Sequence, residues 1–288
     1  MPMMLIQGKY RVVNAAPDGD SVRFYPNNPQ LWKKLPTRVR TNHLGGAQLR
    51  LDSIDTLETH YRPNVGSFPM QHQPKKYAHA AASELLEFLG FEKITRGSNE
   101  IITSAEPEEV PGFILTRFAD AYGRSVAFAF QGESDAADGS DVFFNKALLE
   151  KSANYHMLVQ GLAYPTFYSK LYPDIRTELA IVAKKARDEN KGLWSVDKTN
   201  EGFVLEELKT ITDRVVILPK LFRRLLGYLA INDGSVSLNG FLDYIGSLDD
   251  KLIILSEGHV TEFDYVIEVD AKNLKLKYLP EDLVFIEK

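Results

Sequence analysis

Three short runs place charged side chains where they could work on a phosphodiester: Asp18-Gly19-Asp20-Ser21, the run Arg50-Leu51-Asp52-Ser53-Ile54-Asp55-Thr56-Leu57-Glu58, and Asp120-Ala121-Tyr122-Gly123-Arg124. Asp20 and Asp55 offer acidic oxygens that could share one hard divalent cation, calcium or magnesium. Arg50 and Arg124 could clamp phosphate oxygens through paired hydrogen bonds and offset the charge that grows in the transition state. Glu58, three residues beyond Asp55, stands where it could orient or deprotonate an attacking water. Each run alone is commonplace, since an Asp-Gly pair is usually a turn and a strand arginine usually a solvated one. Together they supply cation, clamps and base, the full set for phosphodiester hydrolysis.

These residues need elements to hold them. Tyr10–Asn14 and Ser21–Tyr25 read as strands joined by a turn at Pro17-Asp18-Gly19-Asp20, where Pro presets φ and Gly supplies an unusual backbone angle. The run 47–52 alternates strictly, so Ala47, Leu49 and Leu51 face a core while Arg50 faces the other way. The segment 26–46 is too long for a hairpin loop and reads as an insertion. Lys75–Leu89 reads as a helix closed by Gly90. Gly112–Phe118 and Arg124–Gln131 make a second hairpin around 119–123, and Phe143–Gln160 and Asp174–Asn190 read as further helices before Gly192-Leu193-Trp194. About five strands with interspersed helices suit a small, partly open OB-type barrel.

In this order and spacing the runs resemble the staphylococcal nuclease (thermonuclease) family over residues 8 to 197. That family carries an Asp-Gly-Asp-Thr turn, an Arg-x-x-x-x-Asp-Thr-Pro-Glu strand and a Tyr-Gly-Arg turn, followed by Gly-Leu-Ala and a Gly-x-Trp end. Here Gly161-Leu162-Ala163 and Gly192-Leu193-Trp194 follow in turn. The resemblance implies one calcium ion held by Asp20, Asp55 and the carbonyl of Thr56, with Arg50 and Arg124 on the phosphate and Glu58 near the water. It further implies cleavage of DNA and RNA with little sequence preference, leaving 3′-phosphate ends. Ser21 keeps the hydroxyl of the family threonine. Leu57 replaces the family proline and releases the backbone just ahead of Glu58.

Composition narrows the classes further. With 288 residues, 44% hydrophobic and 25% charged, the chain is globular material for one large or two modest domains. It has no cysteine, which removes disulfides, thiolate metal sites and a Cys nucleophile. No apolar run approaches the ~20 residues of a membrane helix, and the opening lacks the pattern of a signal peptide, so the expected address is cytoplasmic. Residues 205–288 hold 10 Lys and Arg against 15 Asp and Glu, whereas the first 204 hold 24 of each. The expected division is therefore a neutral nuclease-like domain at 1–204 and an acidic α+β domain at 205–288. In the latter, a helix at Leu221–Ile231 follows Pro219, with short strands at 252–256, 265–269, 274–278 and 283–286. No flexible linker separates the parts, which are expected to pack together.

A neutral nuclease part lacks a broad electrostatic grip on nucleic acid, so contacts should be local. Trp32, Lys33 and Lys34, with Arg38 and Arg40, form the best basic patch, able to touch phosphates and stack a base, although a solvated loop with Trp32 covering the barrel fits equally well. Tyr122, inside the Tyr-Gly-Arg turn, is a second stacking candidate. The helical run around Arg223 and Arg224 reads as packed on its own sheet. The function expected is calcium-dependent endonucleolytic hydrolysis of DNA or RNA. The competing reading is a non-cleaving scaffold that binds nucleic acid, or a protein partner through the C-terminal domain.

Overall fold

A computed structural model describes residues 2–65 and 68–287. Its first part is built on strands β1 (Pro2–Arg11), β2 (Ser21–Pro26), β3 (Ala47–Leu51) and the short β4 (Ile54–Asp55), then helix α1 (Lys75–Leu89), a hairpin of β5 (Lys93–Arg96) and β6 (Ile102–Glu106), and the long β7 (Glu109–Ala119) and β8 (Ser125–Gln131). Neighbours run β2-β3-β8-β7-β1, and β1 also pairs with β2, so five strands close on themselves. Only the β3–β8 pair of this ring is parallel. Closure leaves no free edge within the ring and matches the OB-type barrel expected. Along β3 burial alternates residue by residue, with Leu49 and Leu51 fully buried and Arg50 on the opposite face.

The chain continues through β9 (Asp141–Phe143), α2 (Lys146–Leu149), α3 (Ala153–Val159), β10 (Tyr164–Pro165), β11 (Phe167–Tyr168) and α4 (Pro173–Asp188). The single helix expected over Phe143–Gln160 is thus a strand and two short helices. Asn145 and Ser152 divide it, because their side chains accept hydrogen bonds from the backbone N–H of Leu148 and Tyr155 and so each starts a new helix. Helix α1 matches its expected bounds and ends on Gly90 at φ +107°.

Beyond β12 (Phe203–Val204), α5 (Pro219–Ile231) opens on Pro219, followed by α6 (Phe241–Gly246) and strands β13 (Lys251–Ile254), β14 (His259–Glu262), β15 (Ile267–Asp270), β16 (Asn273–Leu276) and β17 (Leu283–Phe285). They form two small sheets, and each recruits a strand from earlier in the chain: β11 runs parallel to β17, and β12 pairs with β16. Leu57, Tyr164, Leu193 and Trp194 share an apolar core with Leu221, Phe222 and Leu225 of α5. The C-terminal part is therefore welded to the barrel's flank, directly beside the Asp55–Glu58 segment. Among the described residues no helix is long and apolar enough to cross a membrane.

Candidate functional site

The turn before β2 sets the first carboxylate. Gly19 is needed there for a reason other than the unusual backbone angle expected, since it is absent from the positive-φ glycines. A Cβ on Gly19 would stand 2.7 Å from the Cβ of Ala81 in α1 and 3.0 Å from Cγ2 of Thr56. Only glycine lets α1 and the Thr56 loop approach the turn this closely. Asp20 then leads into β2, and its carbonyl accepts the Leu51 N–H at 2.8 Å, which locks it beside the end of β3. Ser21 lies opposite Arg50 in the ladder. Strand β4 carries Asp55, which pairs with Tyr164 of β10, and the Thr56 N–H points at Oδ2 of Asp20, 3.3 Å away.

Glu58 lacks the family proline before it, and the structure replaces that constraint with Gln73. This side chain is fully buried. Its Oε1 accepts the Glu58 N–H at 3.2 Å, its backbone N–H donates to the Glu58 carbonyl at 2.9 Å, and its Nε2 donates to the Ile217 carbonyl at 2.8 Å. Asp18 braces the other side of the loop, accepting hydrogen bonds from the hydroxyl and N–H of Thr59. Replacing Gln73 with Ala strands the Ile217 carbonyl and frees Glu58. Gln73→Ala is therefore expected to lower the unfolding free energy by about 1–3 kcal/mol in urea denaturation, with hydrogen exchange at the Glu58 amide faster in the variant. Unchanged exchange at Glu58 would mean that Leu57 packing alone holds the loop.

Arg124 is positioned by Asp120, whose Oδ2 accepts from Arg124 Nε at 2.7 Å while Oδ1 accepts the N–H groups of Tyr122 and Arg124. Gly123, at φ +81°, closes this turn, and its carbonyl accepts the N–H of Arg40 at 2.8 Å. Tyr122 is 70% exposed and its ring lies 5.7 Å from the Arg124 guanidinium. Arg50 lies 4.6 Å over the ring of Tyr168. Burial opposes the Arg50 charge, but Tyr168, Asp55 and Asp20 outweigh it and hold the guanidinium more firmly charged than usual.

Burial dominates the electrostatics of Asp20 and Glu58. Burial, then the nearby charges of Asp55 and Asp18, push the Asp20 carboxyl up to about 7, although Arg124 and Arg50 pull the other way. Burial likewise pushes Glu58 up to about 8, with Arg223 opposing. The opposing charge comes from a residue that the sequence reading assigned to packing within the C-terminal part. From α5, Arg223 reaches into the site: Nη1 lies 3.0 Å from Oδ1 of Asp55 and 2.6 Å from Oε1 of Glu58, and Nη2 lies 2.8 Å from Oδ2 of Asp55. The sequence signal was the acidity of the C-terminal part, which makes three cations within five residues of α5 (Lys220, Arg223, Arg224) stand out.

The donors suit a hard divalent cation in kind. Asp20 and Asp55 offer carboxylate oxygens on either side of the Thr56 N–H, and the buried hydroxyl of Thr56 has no partner, though it was the Thr56 carbonyl that was expected to serve. Among the described residues, however, no group of three or more His, Asp or Glu stands ready to hold a metal ion, and both Asp55 oxygens are taken by Arg223. Removing the charge of Asp20 should relieve the acidic crowding. Because the Asp20 carboxyl is raised in the fold, its contribution to stability is complete below the ordinary carboxylate range near pH 4 and is lost as pH rises through about 7. In chelator, Asp20→Asn should therefore gain stability over the unsubstituted protein as pH rises from 5 to 8, by on the order of 2 kcal/mol at pH 8. Thermal melts at the two pH values check it, and a pH-independent difference would contradict it.

Of the two readings of the insertion, the structure matches at Trp32 the one in which the ring covers the barrel. Trp32 is only 5% exposed: its ring packs edge-on against Phe24 and its indole N–H donates to the Gly45 carbonyl. It walls the barrel and presents no face for stacking a base. Lys33 and Lys34 remain exposed at the end of a short 3-10 helix. A groove lined by Trp32, Lys33, Arg38 and Arg40 runs up to the Gly123 turn.

The staphylococcal nuclease homologue family matches residues 48–196, more than half of the chain. The chain belongs to the staphylococcal nuclease family. The matched region holds Arg50, Asp55, Thr56, Glu58, Tyr122 and Arg124, while Asp20 and the insertion precede it and α5 follows it. No curated protein matches the chain. The nuclease-type scaffold, an OB barrel with packed helices, is thus combined with a C-terminal part that lies outside the family match.

Proposed function

We propose that the protein is a divalent-cation-dependent phosphodiesterase that cleaves DNA or RNA internally, with calcium as the natural ion. The observation that carries this reading is the convergence of the charged set: Asp20 accepts the Thr56 N–H next to Asp55, Ser21 beside it lies opposite Arg50, and Glu58 shares Arg223 with Asp55. A scaffold that only bound nucleic acid would need neither a second carboxylate beside Asp20 nor a base held from both sides by Gln73. Asp20 and Asp55, with an oxygen of Thr56, would hold the ion, which when bound neutralises phosphate charge. Arg50, stiffened by Tyr168, and Arg124, stiffened by Asp120, bind and orient the phosphate oxygens and favour the extra negative charge of the transition state. Glu58, with its carboxyl raised toward neutrality, takes the proton of the attacking water. Lys33, Arg38 and Arg40 of the groove, with the exposed Lys34 next to Lys33 in the chain, extend the track for the polymer away from Tyr122, which stacks a base at its mouth.

Labelled single-stranded DNA incubated with the protein over a calcium series, and in chelator, tests this reading. Shortening of the strand in calcium only is expected, in Arg223→Ala protein if not in the unsubstituted form. Binding without shortening in both proteins would establish the scaffold reading instead.

A further inference from the structure

The C-terminal part reaches the nuclease site with a cation of its own. Helix α5 starts on Pro219, and Lys220, Arg223 and Arg224 follow at helical spacing that puts them on one face. The outer two are anchored away from the site. Arg224 donates to Asp250 through Nε at 2.6 Å, and the Lys220 ammonium lies 3.7 Å from the same carboxylate and 4.2 Å over the ring of Phe285. Between them Arg223 projects into the barrel's acidic mouth, where one guanidinium holds both oxygens of Asp55 and one of Glu58. It is still 22% exposed, so water and ions reach it. The same C-terminal part holds the phosphate clamp: β17 pairs with β11, which carries Tyr168, on whose ring Arg50 rests.

We propose that Arg223 is a built-in surrogate cation: it occupies the carboxylates in the metal-free protein, and a divalent ion gains Asp55 only by displacing it. The proposal rests on the reading of Asp55 as a cation ligand and adds a regulatory role for the C-terminal part. Two buried carboxylates next to a third would repel one another in an empty site, and the guanidinium keeps them assembled. The same bidentate pairing competes with any ion, because Asp55 cannot give both oxygens to Arg223 and also to a metal. Anything that draws α5 outward would open the site, which makes the C-terminal part the natural point of control.

Terbium, an oxygen-seeking luminescent stand-in for calcium, reads the competition without any activity. Terbium affinity should be measured by luminescence, with calcium as competitor, for the unsubstituted protein and for Arg223→Ala, Arg223→Lys and Arg224→Ala. Lysine keeps the charge but cannot span both Asp55 oxygens, so it also preserves folding if the alanine variant fails. The expected order is Arg223→Ala tightest, by tenfold or more, then Arg223→Lys, with Arg224→Ala equal to the unsubstituted protein. Equal affinity in all four, or no terbium binding in any, would overturn the proposal. Tighter terbium binding in the Arg223 variants without cleavage would leave the surrogate cation standing and remove the nuclease reading. Calcium-dependent cleavage with an unchanged affinity would do the reverse.

Discussion

Glu58→Gln should slow calcium-dependent cleavage of single-stranded DNA by about 10²- to 10⁴-fold, the usual worth of a positioned general base. Substrate binding should be untouched. Glutamine matches the shape of the carboxylate and can still meet Arg223, so the fold around Asp55 survives and only proton transfer is lost. Single-turnover rates at saturating calcium, read beside the dissociation constant for DNA, separate the two effects. Arg124→Ala should fall in the same range but with weakened binding as well, as the proposed role of its guanidinium on the phosphate requires. A Glu58→Gln rate within threefold of the unsubstituted protein would mean that the base lies elsewhere.

The largest effect on stability is expected from Asp55→Ala, a loss of about 3 kcal/mol in metal-free protein, because it deprives the partly buried Arg223 of its two-point partner. An opposing term exists, since Asp55 also crowds Asp20. Contact at 2.8 and 3.0 Å outweighs a repulsion that acts without contact and is shared with Asp18, so the net sign is destabilising. Urea denaturation in chelator measures it. The double variant Asp55→Ala/Arg223→Ala should lose less than the sum of the single losses, by about 1–3 kcal/mol, the signature of a direct pair. Additive losses would show that the two residues stabilise the fold separately.

Much of this was legible in the chain itself, for identifiable reasons. Strict alternation in β3 announced both the barrel strand and the outward face of Arg50, and the Ala-rich run closed by Gly90 announced α1 with its true ends. The β5–β6 hairpin escaped notice because its strands are short and half polar, with Lys93 and Thr95 exposed, so no apolar period marks them. Trp32 illustrates a different limit: a tryptophan among cations reads equally as a stacking platform or a core wall, and only the donor–acceptor contact with Gly45 separates the two. The supporting residues of the site were invisible for a third reason. Gln73, Asp120 and Arg223 act through contacts to partners fixed by the fold, and in the sequence Arg223 lies 165 residues from Glu58. An arginine in an amphipathic helix looks like surface until the fold turns it toward a carboxylate.

On the proposed reading, water prepared at Glu58 attacks phosphorus in a site held by Asp20, Asp55, Arg50 and Arg124. Cleavage of a defined DNA oligonucleotide in ¹⁸O-labelled water with calcium, followed by mass spectrometry of the products, tests it directly. One ¹⁸O atom in the terminal phosphate of the products, with no product in chelator and labelled product forming about 10²- to 10⁴-fold more slowly in Glu58→Gln, is the predicted result. Intact oligonucleotide with both the unsubstituted and the Arg223→Ala protein, or products whose terminal phosphate carries no label, would contradict it.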